Sequence, residues 1–172
     1  MNLDARKQHA PERGEFRVPV CLHAALEIDG TSVRVLVRDL STTGYSVAID
    51  RARLSLDVPP RALARGAATL VRIPTTDGVL ELPGRVAWTK AVALESSEVL
   101  IAGIRLEDIS DDARATLRAW LLHGLSALRD AARYAVEGRW EQASSALHEI
   151  GFENVSQSVL AGVLRYTANM HA

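Results

Sequence analysis

Arg13 and Arg17 stand four residues apart in the stretch RGEFR, between Pro11 and Pro19 and just ahead of an apolar run. Two guanidiniums are flat forks of N–H donors that can grip phosphate in bidentate fashion, bond the O6/N7 edge of guanine, or stack on a base. In an extended segment the two positions lie about 13 Å apart along one face, a reach suited to a ligand with several anionic and aromatic parts. A second stretch, DLSTTG from Asp39 to Gly44, carries groups of the complementary kind. Asp39 and Ser41 can accept or donate hydrogen bonds in a turn, and Gly44 permits a positive φ or the close approach of a ligand to the backbone. A carboxylate and a hydroxyl beside two guanidiniums suit a guanine nucleotide.

The two stretches must be brought together by strands. From Val18 to Ile28 every even position except Ala24 is a large apolar residue, the period of a half-buried strand. Asp29-Gly30 is a turn, and Val33, Val35 and Val37 alternate with polar neighbours in a strand that folds back as a hairpin. Centring that hairpin on Asp29 to Thr31 sets Arg17 opposite roughly Thr43, so donors and acceptors converge at one end of the sheet. Tyr45, Val47 and Ile49 form a third short alternation. Arg51 to Gly66 reads as a loop with one helical turn, Ala67 to Ile73 and Val79 to Thr89 as a hairpin across Thr76-Asp77-Gly78, and Val99 to Leu106 as a last strand. Short antiparallel strands separated by turn signals predict a small barrel or sandwich.

After Ser110 the apolar period becomes helical. Ser110 is placed to cap a helix, with Asp111 and Asp112 in the first turn where the dipole favours negative charge. Ala113, Leu117, Trp120, Leu121, Leu125 and Leu128 predict one helix from 111 to about 137, with Gly124 as its weak point. Gly138 and Gly151 read as helix stops, Arg139 to Ile150 as a second helix, and Ser156 to about Met170 as a third. The architecture expected is therefore mainly β with a C-terminal α tail.

Composition excludes several function classes. The chain of 172 residues has 20 basic and 21 acidic residues, net charge −1, which does not advertise a nucleic acid or an anionic membrane. Residues 111 to 172 hold six Arg against seven Asp and Glu, which counts against DNA binding by the tail. Cys21 is the only cysteine, so neither a disulfide framework nor a zinc cluster is expected, and a reducing cytoplasm is the simple reading. No segment approaches the ~18 consecutive apolar residues of a membrane span, and the first fifteen residues lack a signal-peptide run, so no membrane insertion is expected. His9, His23, His123, His148 and His171 show no metal-ligand spacing, and no phosphate loop, Cys/His pair or Ser-centred elbow is present. Neither catalysis, a metal nor a bound cofactor is expected.

The combination R-x-x-x-R, then D/N-x-S-x-x-G about twenty residues on, resembles the PilZ domains, receptors for the bacterial second messenger cyclic di-GMP. Arg13, Arg17, Asp39, Ser41 and Gly44 occupy the five defining positions, and GRVAW (Gly84 to Trp88) and GIRLE (Gly103 to Glu107) are similar to later strands of the family. The resemblance implies a six- or seven-stranded antiparallel barrel, with the R-x-x-x-R segment as an arm that closes over the ligand. Arg13 and Arg17 would hold guanine and phosphate, and Asp39 and Ser41 would read guanine edges. Glu12 and Glu15 set carboxylates beside the arginines, and in the family the residue before the first Arg influences whether one or two ligand molecules bind. The organisation implied is a flexible N-terminus over 1–9, a PilZ domain over 10–122 that includes the start of the long helix, and a helical extension over 123–172.

Tyr134, Gly138, Trp140, Ala143 and Leu147 fit the spacing of a single tetratricopeptide repeat, which one generic helical hairpin would match as well. The tail presents apolar surface for a homodimer or for an unidentified partner protein. Two functions stay open: a ligand-gated sensor that alters contact with a partner, and a ligand-independent adaptor.

Overall fold

The computed structural model describes residues 17–51, 54, 60–75, 78–93, 98–152, 155 and 157–168. Six antiparallel strands close into a barrel: β1 (Val18–Ile28), β2 (Thr31–Leu40), β3 (Gly44–Asp50), β4 (Ala68–Thr75), β5 (Gly78–Ala93) and β6 (Glu98–Leu106), in the ring order β1-β2-β3-β6-β5-β4. Three helices follow, α1 (Asp111–Val136), α2 (Trp140–His148) and α3 (Gln157–Ala168). Of the two all-β architectures that the alternation allows, closure through β1 and β4, with Leu26 opposite Val71, selects the barrel and leaves no open edge. Among the described residues no helix is long and apolar enough to cross a membrane.

The period-two residues fill the interior. Val18, Leu26, Ile28, Val37, Val47 and Leu82 are almost wholly removed from water. Tyr45 lies in the same aliphatic core, where its hydroxyl donates to the Leu82 carbonyl at 3.3 Å; burial pushes the phenol's pKa far up, so it stays protonated. Asp29 and Gly30, both with positive φ, make the two-residue β1–β2 turn whose twist suits a hairpin. Thr75 pairs with Gly78 across Thr76 and Asp77, which lie outside the described residues, and the expected helical turn in the long loop is a 3-10 turn at Pro60–Leu63.

The register of the first hairpin departs from the expectation. With a two-residue turn Leu22 faces Val37, and one extra β1 residue between Pro19 and Leu22 then sets Val18 opposite Leu40. Arg17 therefore continues towards Ser41, two residues short of Thr43. The same bulge frees the Cys21 N–H from the ladder, and it donates to the Ile150 carbonyl at the end of α2 at 3.4 Å.

Ser110 caps α1, its Oγ accepting from the Ala113 N–H at 3.2 Å. The buried stripe of α1 includes Leu117, Leu121, Gly124, Leu128 and Ala131, and it shares one continuous core with the barrel. Gly124 is a contact point where a weak point was expected: a Cβ there would lie 2.9 Å from Cγ1 of Val18, so the missing side chain lets α1 rest on the first residue of β1. Gly138 and Gly151 have the positive φ of helix stops. In the α1–α2 hairpin Ala143 and Leu147 are fully buried, and the guanidiniums of Arg133 and Arg139 lie 4.9 and 4.6 Å from the centre of the Tyr134 ring.

Gly124→Leu should lower stability by about 1–3 kcal/mol through overpacking against Val18, despite the better helix propensity of leucine. The midpoint of urea unfolding measures this, and an unchanged or raised midpoint would contradict the close approach.

Candidate functional site

Arg17 immediately precedes β1, and Asp39 lies one residue from the end of β2. Arg17 Nη1 donates to Asp39 Oδ1 at 2.7 Å, with the arginine side chain 45% and the aspartate 28% exposed. The second oxygen of Asp39 accepts from the Ser46 hydroxyl on β3. Ser46 is buried and directly opposite Asp39 in the ladder. It fixes the plane of the carboxylate, and sequence reasoning missed it because it sits unremarked between Tyr45 and Val47. The only sequence signal for it is its polar character in an otherwise apolar strand.

Ser41 and Gly44 build the turn that carries Asp39. The Ser41 N–H and hydroxyl both donate to the Gly44 carbonyl, at 2.8 and 3.0 Å. The same hydroxyl accepts from the Thr43 and Gly44 N–H groups at 3.3 and 3.1 Å. Ser41 is fully buried, so its hydrogen-bonding capacity is used inside the turn. Gly44 has no positive φ, and the close approach it permits is to protein: a Cβ would lie 2.4 Å from the Ile104 carbonyl oxygen of β6. Arg13, Glu12 and Glu15 lie outside the described residues.

The ladder extends the site across the barrel exterior. Asp39 faces Ser46, Ser46 faces Gly103 on β6, and Gly103 faces Trp88 on β5. One extra β5 residue between Val86 and Trp88 accompanies this last pairing. The indole is 47% exposed and lies on Gly103, where a Cβ would be only 2.2 Å from its Cε2. The nearby pair Arg85 and Arg105 is gripped by one carboxylate: Arg85 Nε and Arg105 Nη2 donate to Glu107 at 2.6 and 2.7 Å. The Arg105 hydrogen bond chiefly, with the bond and charge from Arg85, holds the Glu107 carboxyl below its usual range. This face thus offers a guanidinium–carboxylate pair, an aromatic plane and two further guanidiniums that share one carboxylate. Among the described residues no group of His, Cys, Asp and Glu is arranged to hold a metal ion.

Ser41→Ala should cost about 1–3 kcal/mol of folding stability, because it strips buried turn N–H groups of their acceptor. Arg17→Ala should cost no more than about 1 kcal/mol, the value of an exposed ion pair. Thermal or urea unfolding separates the two, and equal losses would contradict this division between turn and surface.

The model of the PilZ domain family matches residues 11–123. No curated protein matches the chain. Among solved structures, the PilZ domain of YcgR from Escherichia coli, with c-di-GMP, superposes with a TM-score of 0.55 at 15% identity, covering 72% of this chain and 98% of that one. MrkH of K. pneumonia in its apo state superposes with a TM-score of 0.52 at 13% identity, covering 70% of this chain and 53% of MrkH. The MrkH–c-di-GMP complex gives 0.51 at 13% identity, with 65% and 52% covered. This chain therefore spans about half the length of MrkH. At these identities the structural likeness concerns the fold. With the family model matching from before Arg13 through the first half of α1, and the fold in agreement, the chain belongs to the PilZ domain family.

Proposed function

We propose that this chain is a receptor for cyclic di-GMP, bound on the barrel exterior by Arg13, Arg17 and Asp39. The observation that carries this reading is the exposed Arg17–Asp39 pair, its carboxylate pinned from behind by Ser46. Guanine presents an acceptor edge, O6 and N7, that a guanidinium bonds in bidentate fashion, and N–H donors that a carboxylate accepts. A guanine base can therefore satisfy both members of the pair as it separates them. Arg13 completes the R-x-x-x-R arm over the phosphates, while Ser41 and Gly44 contribute by holding the turn beneath Asp39. Trp88, in register with Asp39 across Ser46 and Gly103, provides a plane for a second base. Family membership supports the reading, as do the structural relatives solved with c-di-GMP.

The output passes to another protein, in a cytoplasmic setting, and the helices are the element placed to carry it. Arg17 is followed directly by Val18, on which α1 rests through Gly124, and Cys21 is bonded to the end of α2. Tightening of the arm around a ligand pulls on the same few residues that seat the helices. The protein acts as a receptor without turnover, so cyclic di-GMP incubated with it should be recovered unchanged.

Calorimetric titration tests the assignment. Arg13→Ala and Arg17→Ala should each weaken cyclic di-GMP binding by about ten- to a hundredfold, the worth of a hydrogen bond to a charged group. Tryptophan fluorescence should change on binding by the wild type and lose most of that change in Trp88→Phe. A well-folded wild type that fails to bind would overturn the receptor reading and leave an adaptor that works independently of ligand.

A further inference from the structure

Strand β2 turns two consecutive side chains outward. Val35, Val37 and Leu40 are buried in the barrel, and a regular strand with Val37 inside would send Asp39 inward and Leu40 out. The register prevents this: Val37 faces Val47 and Asp39 faces Ser46, so Arg38 is one extra residue in β2. A bulge of this kind sets two residues opposite one partner. Arg38 is exposed beside the half-buried Asp39, and the two share the exterior face. Their Cα atoms are about 3.8 Å apart, the span of one trans peptide. Both oxygens of Asp39 are already engaged, one by Arg17 and the other by Ser46. Among the described residues Arg38 has no carboxylate or hydrogen-bond partner, whereas Arg17, Arg85 and Arg105 on the same face each have one.

We propose that Arg38 is a further ligand-binding residue, whose guanidinium takes a phosphate of the cyclic dinucleotide that Arg17 and Asp39 hold by its base. The inference rests on the receptor reading and deepens it. The argument is one of charge and place. Cyclic di-GMP carries two phosphates, each with one negative charge, and the Arg17–Asp39 pair is neutral as a unit. Arg13 supplies one positive charge, and one phosphate is left to be matched. Arg85 and Arg105 share Glu107 and stand on β5 and β6, beyond β3 from Asp39. Arg38 is the neighbour of Asp39 in the chain, and its charge is not committed to a carboxylate. In a nucleotide the phosphate lies one sugar away from the base, a separation that a flexible arginine stem rooted beside Asp39 can span. A guanidinium also fits a phosphate with two parallel N–H donors. The bulge thus serves two ends: it turns Asp39 to the base and keeps Arg38 on the same face for the phosphate.

Calorimetric titration of the full chain with cyclic di-GMP tests it, comparing the wild type with Arg38→Gln and Arg38→Lys. Because Arg38 is exposed, both variants should keep the urea midpoint of the wild type. In low salt Arg38→Gln should bind about tenfold more weakly, the worth of a hydrogen bond between charged groups. Arg38→Lys should recover most of that loss, since lysine keeps the charge and gives up only the fork. The deficit of Arg38→Gln should shrink as salt is raised to about 0.5 M, because an exposed charge contact is screened there. Equal affinity of Arg38→Gln and wild type, a deficit that salt does not reduce, or one that lysine does not relieve overturns the proposal. If Arg17→Ala still loses binding in that case, the receptor reading stands without Arg38. A wild type that binds no cyclic di-GMP overturns both.

Discussion

The first few residues of β1 are held from three directions, and the relation between barrel, site and helices depends on that grip. On one side Arg17 is tied to Asp39 at the end of β2. On another, Val18 fills the space left by the absent side chain of Gly124 in α1. On the third, the bulge after Pro19 turns the Cys21 N–H to the Ile150 carbonyl, while a Cβ at Gly151 would lie 2.5 Å from the Cys21 carbonyl oxygen. A bulge leaves one residue out of the ladder, and here that residue's donor is used to fasten the helical tail. The ring of strands is complete in itself, and α1 packs on both β1 and β5.

The exterior face gathers guanidiniums in a protein of net charge −1. Three of the arginines there have a carboxylate partner, Asp39 for Arg17 and Glu107 for both Arg85 and Arg105. On the proposed reading, recognition rests on short-range exchange of one hydrogen-bonded partner for another. Such exchange favours a ligand whose donors and acceptors match the geometry of the pair it replaces, and it disfavours one that offers charge alone. Ser46 holds the second oxygen of Asp39 while Arg17 engages the first.

Much of the fold is written in short-range signals. The even-numbered apolar residues of β1, the Asp29-Gly30 turn, the Ser110 cap and the two glycine stops are local features, and each appears where its chemistry indicates. What is not local is harder to read. The facing of Arg17 depends on one extra residue in β1 that no turn signal announces. The row from Asp39 to Trp88 crosses β3, β6 and β5, so it depends on a pairing of strands far apart in sequence and on two further bulges, one at Arg38 in β2 and one near Trp88 in β5. Gly124 illustrates the same limit: helix propensity marks it as unfavourable, and only the tertiary neighbour Val18 gives it a purpose.

The saturated hydroxyl of Ser41 bears on how the motif is to be used as a label. Two of the three fixed letters in D-x-S-x-x-G, Ser41 and Gly44, are satisfied by the turn and by β6, and they would be selected in any chain that makes this corner. Scanning genomes for those letters gathers a shape together with its users. On the proposed reading, the letters that separate a receptor from a merely similar barrel are the ones left facing water, Asp39 and the arginine that leans on it.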